Sequence, residues 1–139
     1  MSDLQSFFSQ NAELESVVEF VVSKRFKKNG EPIVWKLRTI TEDENTAIRK
    51  SATRMVKGKS GARVSETDPE EYLSKLAAAS VIYPELKDSE LQHSYGVMGA
   101  ESLIRKMLLA GEYAALLQKV QEINGFDADI NEVAAEIKN

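Results

Sequence analysis

Apolar and polar residues alternate along residues 17–40, which is the period of a β-strand with one buried face. Asn29-Gly30 interrupts the alternation, and this dipeptide is the preferred two-residue turn of a β-hairpin. A turn centred there places four cross-strand pairs on one, mainly apolar, face: Phe26 with Ile33, Lys24 with Trp35, Val22 with Leu37 and Phe20 with Thr39. Because an isolated hairpin is marginally stable in water, we expect this face to pack on helices.

Helical periodicity replaces the strand alternation after residue 40. Thr41 and Glu44 form a capping box that predicts a helix from residue 42 to about Val56. Residues 57–67 hold two glycines and three basic residues, which predicts an exposed loop. Further helices are predicted after the Asp68-Pro69 start, after Asp88 or Ser89, over 100–109, from Tyr113 to a stop at Gly125, and over about 129–138.

The pattern as a whole predicts an α+β fold, a mainly α-helical single domain with an N-terminal β-hairpin packed on helices. The N-terminal segment and the hairpin occupy residues 1–40, and the helical part occupies residues 41–139. The length of 139 residues suits one domain, and 42% apolar with 29% charged residues is typical of a soluble globular protein. We expect neither a signal peptide nor a transmembrane helix.

Charge is unevenly distributed along the chain. Residues 24–63 contain twelve Lys or Arg and four acids, whereas the rest contains six basic residues and eighteen acids. The basic region is either a solvated face or a patch that meets phosphate or an acidic partner. It contains few aromatic residues and lacks a zinc-finger, RRM or basic-zipper signature, so a nucleic-acid-binding module stays an alternative and not the first choice.

Candidate chemistry in the chain is sparse, and we expect no catalytic, cofactor-binding or metal-binding residues. The absence of cysteine excludes disulfides and thiolate chemistry. Gly58-Lys59-Ser60 resembles the end of a Walker A loop, but Thr53 stands where that motif needs glycine. His93 is the only histidine and has no catalytic motif around it. Lys138 stands where calcium would need a glutamate after three residues with EF-hand spacing: Asp127, Asp129 and Asn131.

Five stretches of the chain carry a resemblance to a known family. They are residues 23–26 (SKRF), 35–44 (WKLRTITEDE), 91–101 (LQHSYGVMGAE), 106–113 (KMLLAGEY) and 121–126 (QEINGF). Together they resemble the XkdN-like family of phage tail assembly chaperones. The resemblance covers nearly the whole chain and is weakest at residues 57–70.

This resemblance implies a non-enzymatic protein that binds the phage tape measure protein before the tail tube polymerises and then leaves. It implies action in the cytoplasm of the bacterial host and absence from the mature virion, with no membrane contact. Tail tube protein and a longer, frameshifted form of the chain are further partners to expect, and a homo-oligomer stays open. The alternatives are nucleic-acid binding through residues 24–63 and a structural tail component.

A surface that holds an apolar partner needs exposed apolar side chains with a charged rim. Methionine and tyrosine suit such adaptable recognition, and several lie near Gly96, Gly99 and Gly111. The candidate partner-binding residues are Tyr95, Met98, Leu109 and Tyr113, with Phe7 and Phe8 of the N-terminal segment as a second group. The alternative for the first four is ordinary core packing.

Overall fold

Helices and short strands alternate along the chain in a computed structural model, which describes residues 3–10, 12 and 16–126. The predicted helix over 129–138 and the calcium-like spacing at 127–131 lie outside those residues. The elements are α1 (Asp3–Ser6), β1 (Val17–Phe20), β2 (Lys27–Lys28), β3 (Glu31–Pro32), β4 (Trp35–Arg38), α2 (Glu42–Ser51), β5 (Thr53–Lys57), β6 (Arg63–Thr67), α3 (Pro69–Ser80), β7 (Val81–Tyr83), α4 (Ser89–Ser94), α5 (Ala100–Met107) and α6 (Ala110–Ile123).

The central sheet has three antiparallel strands in the order β1-β4-β7. The middle strand, β4, turns Trp35 and Leu37 into the core and leaves Lys36 exposed, as its sequence alternation predicts. Strand β7 continues directly from α3, and its Val81 pairs with Leu37. The predicted α+β class, with an N-terminal hairpin and helices packed around it, is therefore confirmed.

The predicted register of that hairpin is right near its turn and wrong further out. Ile33 N–H donates to the Phe26 carbonyl at 2.8 Å, as predicted. Phe20, however, pairs with Trp35 and not with Thr39. The reason is that six residues connect β1 to β2 while only two connect β3 to β4. This shift of four is even, so the apolar face of the hairpin is unchanged.

The predicted helix to Val56 and the predicted loop over residues 57–67 are both corrected. The capping box of Thr41 and Glu44 is present, but α2 ends at Ser51. Residues 53–67, here called the hairpin arm, form β5 and β6, which pair from Thr53 with Thr67 to Lys57 with Arg63. Nearly the whole arm is exposed, as expected for the loop. β-Branched Thr53 and Val56 favour a strand once a partner strand is present.

One core joins the sheet to the long helices. Asp68 caps α3 with Pro69 in its first turn, as the sequence predicts. Gly125, at φ 84°, ends α6 in a Schellman motif in which Phe126 N–H donates to the Gln121 carbonyl at 2.7 Å. The fully buried large side chains come from β4, α3, α5 and α6: Trp35, Leu37, Leu76, Leu103, Ile104, Leu116 and Val120.

Candidate partner-binding surface

The loop between α4 and α5 is fixed by the side chain of Gln92. Its amide nitrogen donates to the Leu86 carbonyl at 2.8 Å, and its amide oxygen accepts from Gly99 N–H at 3.1 Å. The Gln92 backbone carbonyl also accepts from Val97 N–H at 3.1 Å. Met98 lies in this loop with 91% of its surface exposed. The loop therefore presents a methionine to solvent on a backbone that is already ordered.

The two glycines of this loop are required by the backbone. Gly96 has φ 68° and Gly99 has φ 100°, both in the left-handed region that favours glycine. Gly99 is also the residue from which α5 starts. These positions set the path of the chain on either side of Met98, so they are turns with a defined conformation.

The turn between α5 and α6 presents Leu109, which is 59% exposed. Its N–H donates to the Glu112 carboxylate at 2.8 Å. The same carboxylate accepts from the Arg25 guanidinium at 2.6 Å and from the Ser23 hydroxyl. We call these four residues the Glu112 cluster. The Glu112 cluster joins the segment between β1 and β2 to the first turn of α6 through hydrogen bonds and an ion pair.

Electrostatics keep the Glu112 carboxylate ionised. Hydrogen bonds from Arg25, from Ser23 and from the Leu109 N–H lower the pKa of Glu112 from 4.5 to about 2. Arg25 also donates to the Met107 carbonyl at 2.8 Å, so its guanidinium reaches the last turn of α5. The result is a charged cluster directly beside the exposed Leu109 side chain.

Tyr95 follows the last residue of α4, and its N–H donates to the Gln92 carbonyl at 3.1 Å. It is half-buried against the core. Hydrogen bonding to Glu112 is the main cause that raises the pKa of Arg25, and an electrostatic interaction with Tyr95 is a minor cause. Met98 and Leu109 flank opposite ends of α5, an eight-residue helix about 12 Å long. Met98 and Leu109 thus lie on the turns at either end of this helix.

Tyr113, like Tyr95, differs from Met98 and Leu109 in being half-buried. It lies on α6 and packs against the core. Burial raises the pKa of Tyr113, while Arg105 and a hydrogen bond with Ser74 of α3 lower it. Its ring therefore helps to pack α6 on α3, in line with the core alternative.

The N-terminal candidates are exposed. α1 is a single helical turn, and Phe7 N–H donates to the Leu4 carbonyl just after it at 3.1 Å. Phe7 is 79% exposed, and Phe8 and Leu4 are also exposed. This short segment displays three large apolar side chains at helical spacing.

Ion pairs engage most arginines of the basic region. Four of the five arginines between residues 24 and 63 pair with acids of the same chain. The pairs are Arg25 with Glu112, Arg38 with Glu44, Arg49 with Glu42, and Arg54 with Glu71. These arginines form ion pairs within the chain, so they are less available to bind phosphate, which weakens the case for a broad phosphate-binding face.

Two kinds of site are absent from the residues that the structure describes. Within 3–10, 12 and 16–126, no helix is both long and apolar enough to cross a lipid bilayer. Across the same residues, no three histidine, aspartate or glutamate side chains gather in a group that could hold a metal ion.

The family of the chain follows from its sequence. A model of the Phage XkdN-like tail assembly chaperone protein family matches residues 4–138. The chain belongs to this family. A tail assembly chaperone is an assembly protein, which is non-enzymatic in kind. The resemblance found in the sequence is thereby confirmed.

Relatives of this tail assembly chaperone come from Bacillus subtilis (strain 168). Phage-like element PBSX protein XkdN is 31% identical over 96% of this chain and 93% of its own length. Uncharacterized protein YqbN is 32% identical over 96% of this chain and 92% of its own length. A crystal structure of the protein YqbN matches with a TM-score of 0.76 at 28% identity, covering 91% of this chaperone and 99% of that chain.

The sequence does not mark the residues that hold the exposed loops of this chaperone. Gln92 gives no local signal, because an amide that binds two backbone groups has no fixed sequence pattern. Glu112 stands three residues after Leu109, which is the spacing of the acidic half of a capping box. Leu109 stands where the motif usually has Ser or Thr, so the sequence does not mark a capping box here.

Proposed function

We propose that this chaperone binds the tape measure protein in the host cytoplasm, keeps it soluble, and leaves before the tail is complete. The observation that carries the proposal is the exposure of Met98 and Leu109 on ordered turns at the two ends of α5. Neither side chain belongs to the hydrophobic core or to the partly buried residues packed against it. The proposed contact residues are Phe7, Phe8, Tyr95, Met98, Leu109 and Tyr113.

The chemistry of the two partners is complementary. A tape measure protein is long and helical and exposes apolar stripes that aggregate in water. An amphipathic helix binds through a few apolar anchors, and methionine adapts to anchors of different shape. Leu109 lies beside the charged Glu112 cluster, which supplies the polar rim of such a surface. A contact made by a few apolar anchors is weak enough for tail tube subunits to displace the chaperone.

Co-expression with the neighbouring tape measure protein tests the proposal. We expect the chaperone to raise the soluble fraction of the tape measure protein and to elute with it. The double variant Met98→Ser, Leu109→Ser should reduce the co-eluting amount by about tenfold, since it removes two exposed apolar anchors. Its own free energy of unfolding should change by less than about 0.5 kcal/mol per site, because both side chains are largely exposed.

Met55→Ser is the matched control, because Met55 is also an exposed methionine but lies on the hairpin arm. It should leave co-elution unchanged. A tape measure protein that stays insoluble beside folded chaperone would contradict the proposal. Recovery of the chain from purified mature tails would also contradict it and favour the structural tail component. Steeply salt-dependent binding to duplex DNA would favour the nucleic-acid-binding alternative.

A further inference from the structure

The hairpin arm is fastened to the domain at its base. Asp68 N–H donates to the Ala52 carbonyl at 2.9 Å, and the hydroxyls of Thr53 and Thr67 lie 2.6 Å apart. Arg54 forms a two-pronged ion pair with Glu71 of α3. The main residue contacts of β5 and β6 are with each other. The arm therefore projects from the point where α2 ends and α3 begins.

The far end of the arm is basic. Lys57, Lys59 and Arg63 lie around its turn, and no acid occurs from residue 57 to residue 65. None of these three cations forms an ion pair with any residue that the structure describes. Met55 and Val64 add an exposed apolar side chain to each face of the ribbon. The arm thus offers both charge and apolar surface to a partner.

An acidic cleft adjoins the base of the arm, between α3 and α5. It encloses about 410 Å³ and is lined by four carboxylates, two cations and a serine: Asp68, Glu70, Glu71, Glu101, Lys75, Arg105 and Ser74. Glu71 is engaged by Arg54 and Lys75. Within the described part of the chain, Glu70 and Glu101 have no ion pair. The cleft is therefore the charge complement of the far end of the arm.

We propose that the chaperone forms a twofold dimer in which the hairpin arm of each copy lies in the acidic cleft of the other. In a twofold dimer, both copies contribute the same residues to the interface, so each copy supplies one arm and one cleft. An axis between the two arm bases places each arm over the partner's cleft, because Asp68 both follows the arm and lines the cleft. Five-residue strands extend about 17 Å, which is enough to cross it.

The energetics of a hairpin support a partner on the arm. A two-stranded ribbon on its own is marginally stable in water. Docking buries Met55 or Val64 and adds ion pairs from Lys57, Lys59 and Arg63. This inference does not depend on the tape measure protein, since neither Met98 nor Leu109 lies on the arm or lines the cleft.

Sedimentation equilibrium of the full chain tests the dimer directly. We expect a concentration-dependent dimer whose Kd rises as salt is raised from about 100 mM to about 500 mM. The variant Lys57→Glu, Lys59→Glu, Arg63→Glu should raise that Kd by about tenfold or more. The matched control reverses three exposed lysines elsewhere, Lys24→Glu, Lys27→Glu, Lys28→Glu, and should leave Kd within about twofold.

Charge exchange between the two surfaces separates docking from misfolding. The variant Glu70→Lys, Glu101→Lys should also lose the dimer, with circular dichroism showing that it stays folded. Mixed with the arm-reversed variant, it should form a heterodimer, because both arm–cleft contacts then pair opposite charges: the acidic arm meets the basic cleft, and the basic arm meets the acidic cleft. A monomer at every concentration, or a dimer unaffected by arm reversal, would overturn the proposal. The proposal would also be overturned if the arm-reversed variant lost binding to DNA or to an acidic partner protein while the Kd of its dimer stayed unchanged.

Discussion

Two buried serines of α3 show how much a single hydroxyl matters in this core. Ser74 donates to the Glu71 carbonyl at 3.1 Å. Ser80 is 0% exposed, and its hydroxyl has no hydrogen-bond partner among the described residues. A buried polar group without a partner destabilises the folded state, because the same group forms hydrogen bonds with water in the unfolded chain. Ser80 is therefore a weak point of the helix that ends beside β7.

Ser80→Ala should raise the free energy of unfolding by about 1 kcal/mol, since it removes an unpaired hydroxyl and suits a helix better. Urea denaturation measures the change. Ser74→Ala is the control in the same helix. Its free energy of unfolding should be about 1 kcal/mol lower than that of Ser80→Ala, because it removes a hydroxyl that has a hydrogen-bond partner. Equal effects of the two substitutions would show that Ser80 has a partner after all.

Residues that act on their immediate neighbours were predictable from the sequence. Thr41, Asp68 and Asp88 cap helices within three residues of themselves, and the sequence marks all three. Gly125 was marked in the same way. Glu112 was not, because its main partner, Arg25, lies 87 residues away in the chain. Exposure of Met98 likewise depends on the fold around it and not on its neighbours in sequence.

Between elements, the Glu112 cluster holds the six-residue connection of β1 to β2 against the turn from α5 to α6. Arg25 lies in the connection between β1 and β2, where the register departs from the predicted one, and its side chain reaches Glu112. The lowered pKa of Glu112 makes this link dependent on pH. Its contribution to stability is complete above the unfolded pKa of 4.5 and is lost as the pH falls towards about 2.

The variant Glu112→Gln should lose stability at neutral pH, and its deficit against the parent chain should shrink as pH falls from about 5 towards 2. Guanidinium denaturation at a series of pH values measures both curves. Glu31→Gln is a suitable control, because Glu31 is exposed and forms no ion pair in the described part of the chain. A deficit that stays constant with pH would contradict this role of the cluster.

The hairpin arm is the element that the sequence pattern does not predict. Helical spacing relates Ile48, Ala52, Met55 and Val56, which predicts that α2 continues to about Val56. Thr53 to Lys57 also fit a strand, and a window of five residues satisfies both periods. The partner strand β6 has only Val64 as an apolar residue and is exposed throughout. A ribbon without a buried face leaves no alternation to detect.

Across the whole molecule, stability is concentrated where the sheet and the long helices share a core. Trp35 and Leu37 of β4 pack with side chains of α3, α5 and α6. Strand β4 has a hydrogen-bonded neighbour on both sides, whereas the arm has only its own two strands. Helix stripes predicted this core because each helix buries one face. The sequence gives no separate signal for strand β7, because its three residues continue the apolar run of α3.

Amide hydrogen exchange should separate these regions. In dilute, monomeric chaperone, amides of the arm should exchange at least about 100-fold faster than those of β4, because the arm opens without disturbing the core. Mass spectrometry of peptides covering each region measures the ratio. Arm amides as slow as those of β4 in the monomer would show that the arm is part of the cooperative unit.

The arm leaves the domain after Ala52 and returns at Asp68, and one backbone hydrogen bond joins these two points. For the rest of the fold, the fifteen residues between them are equivalent to a short turn. Closing a longer or shorter segment between the same two points changes the chain entropy only slightly. Evolution can therefore lengthen, trim or exchange this ribbon without rebuilding the domain, and an engineer can insert a reporter there on the same grounds.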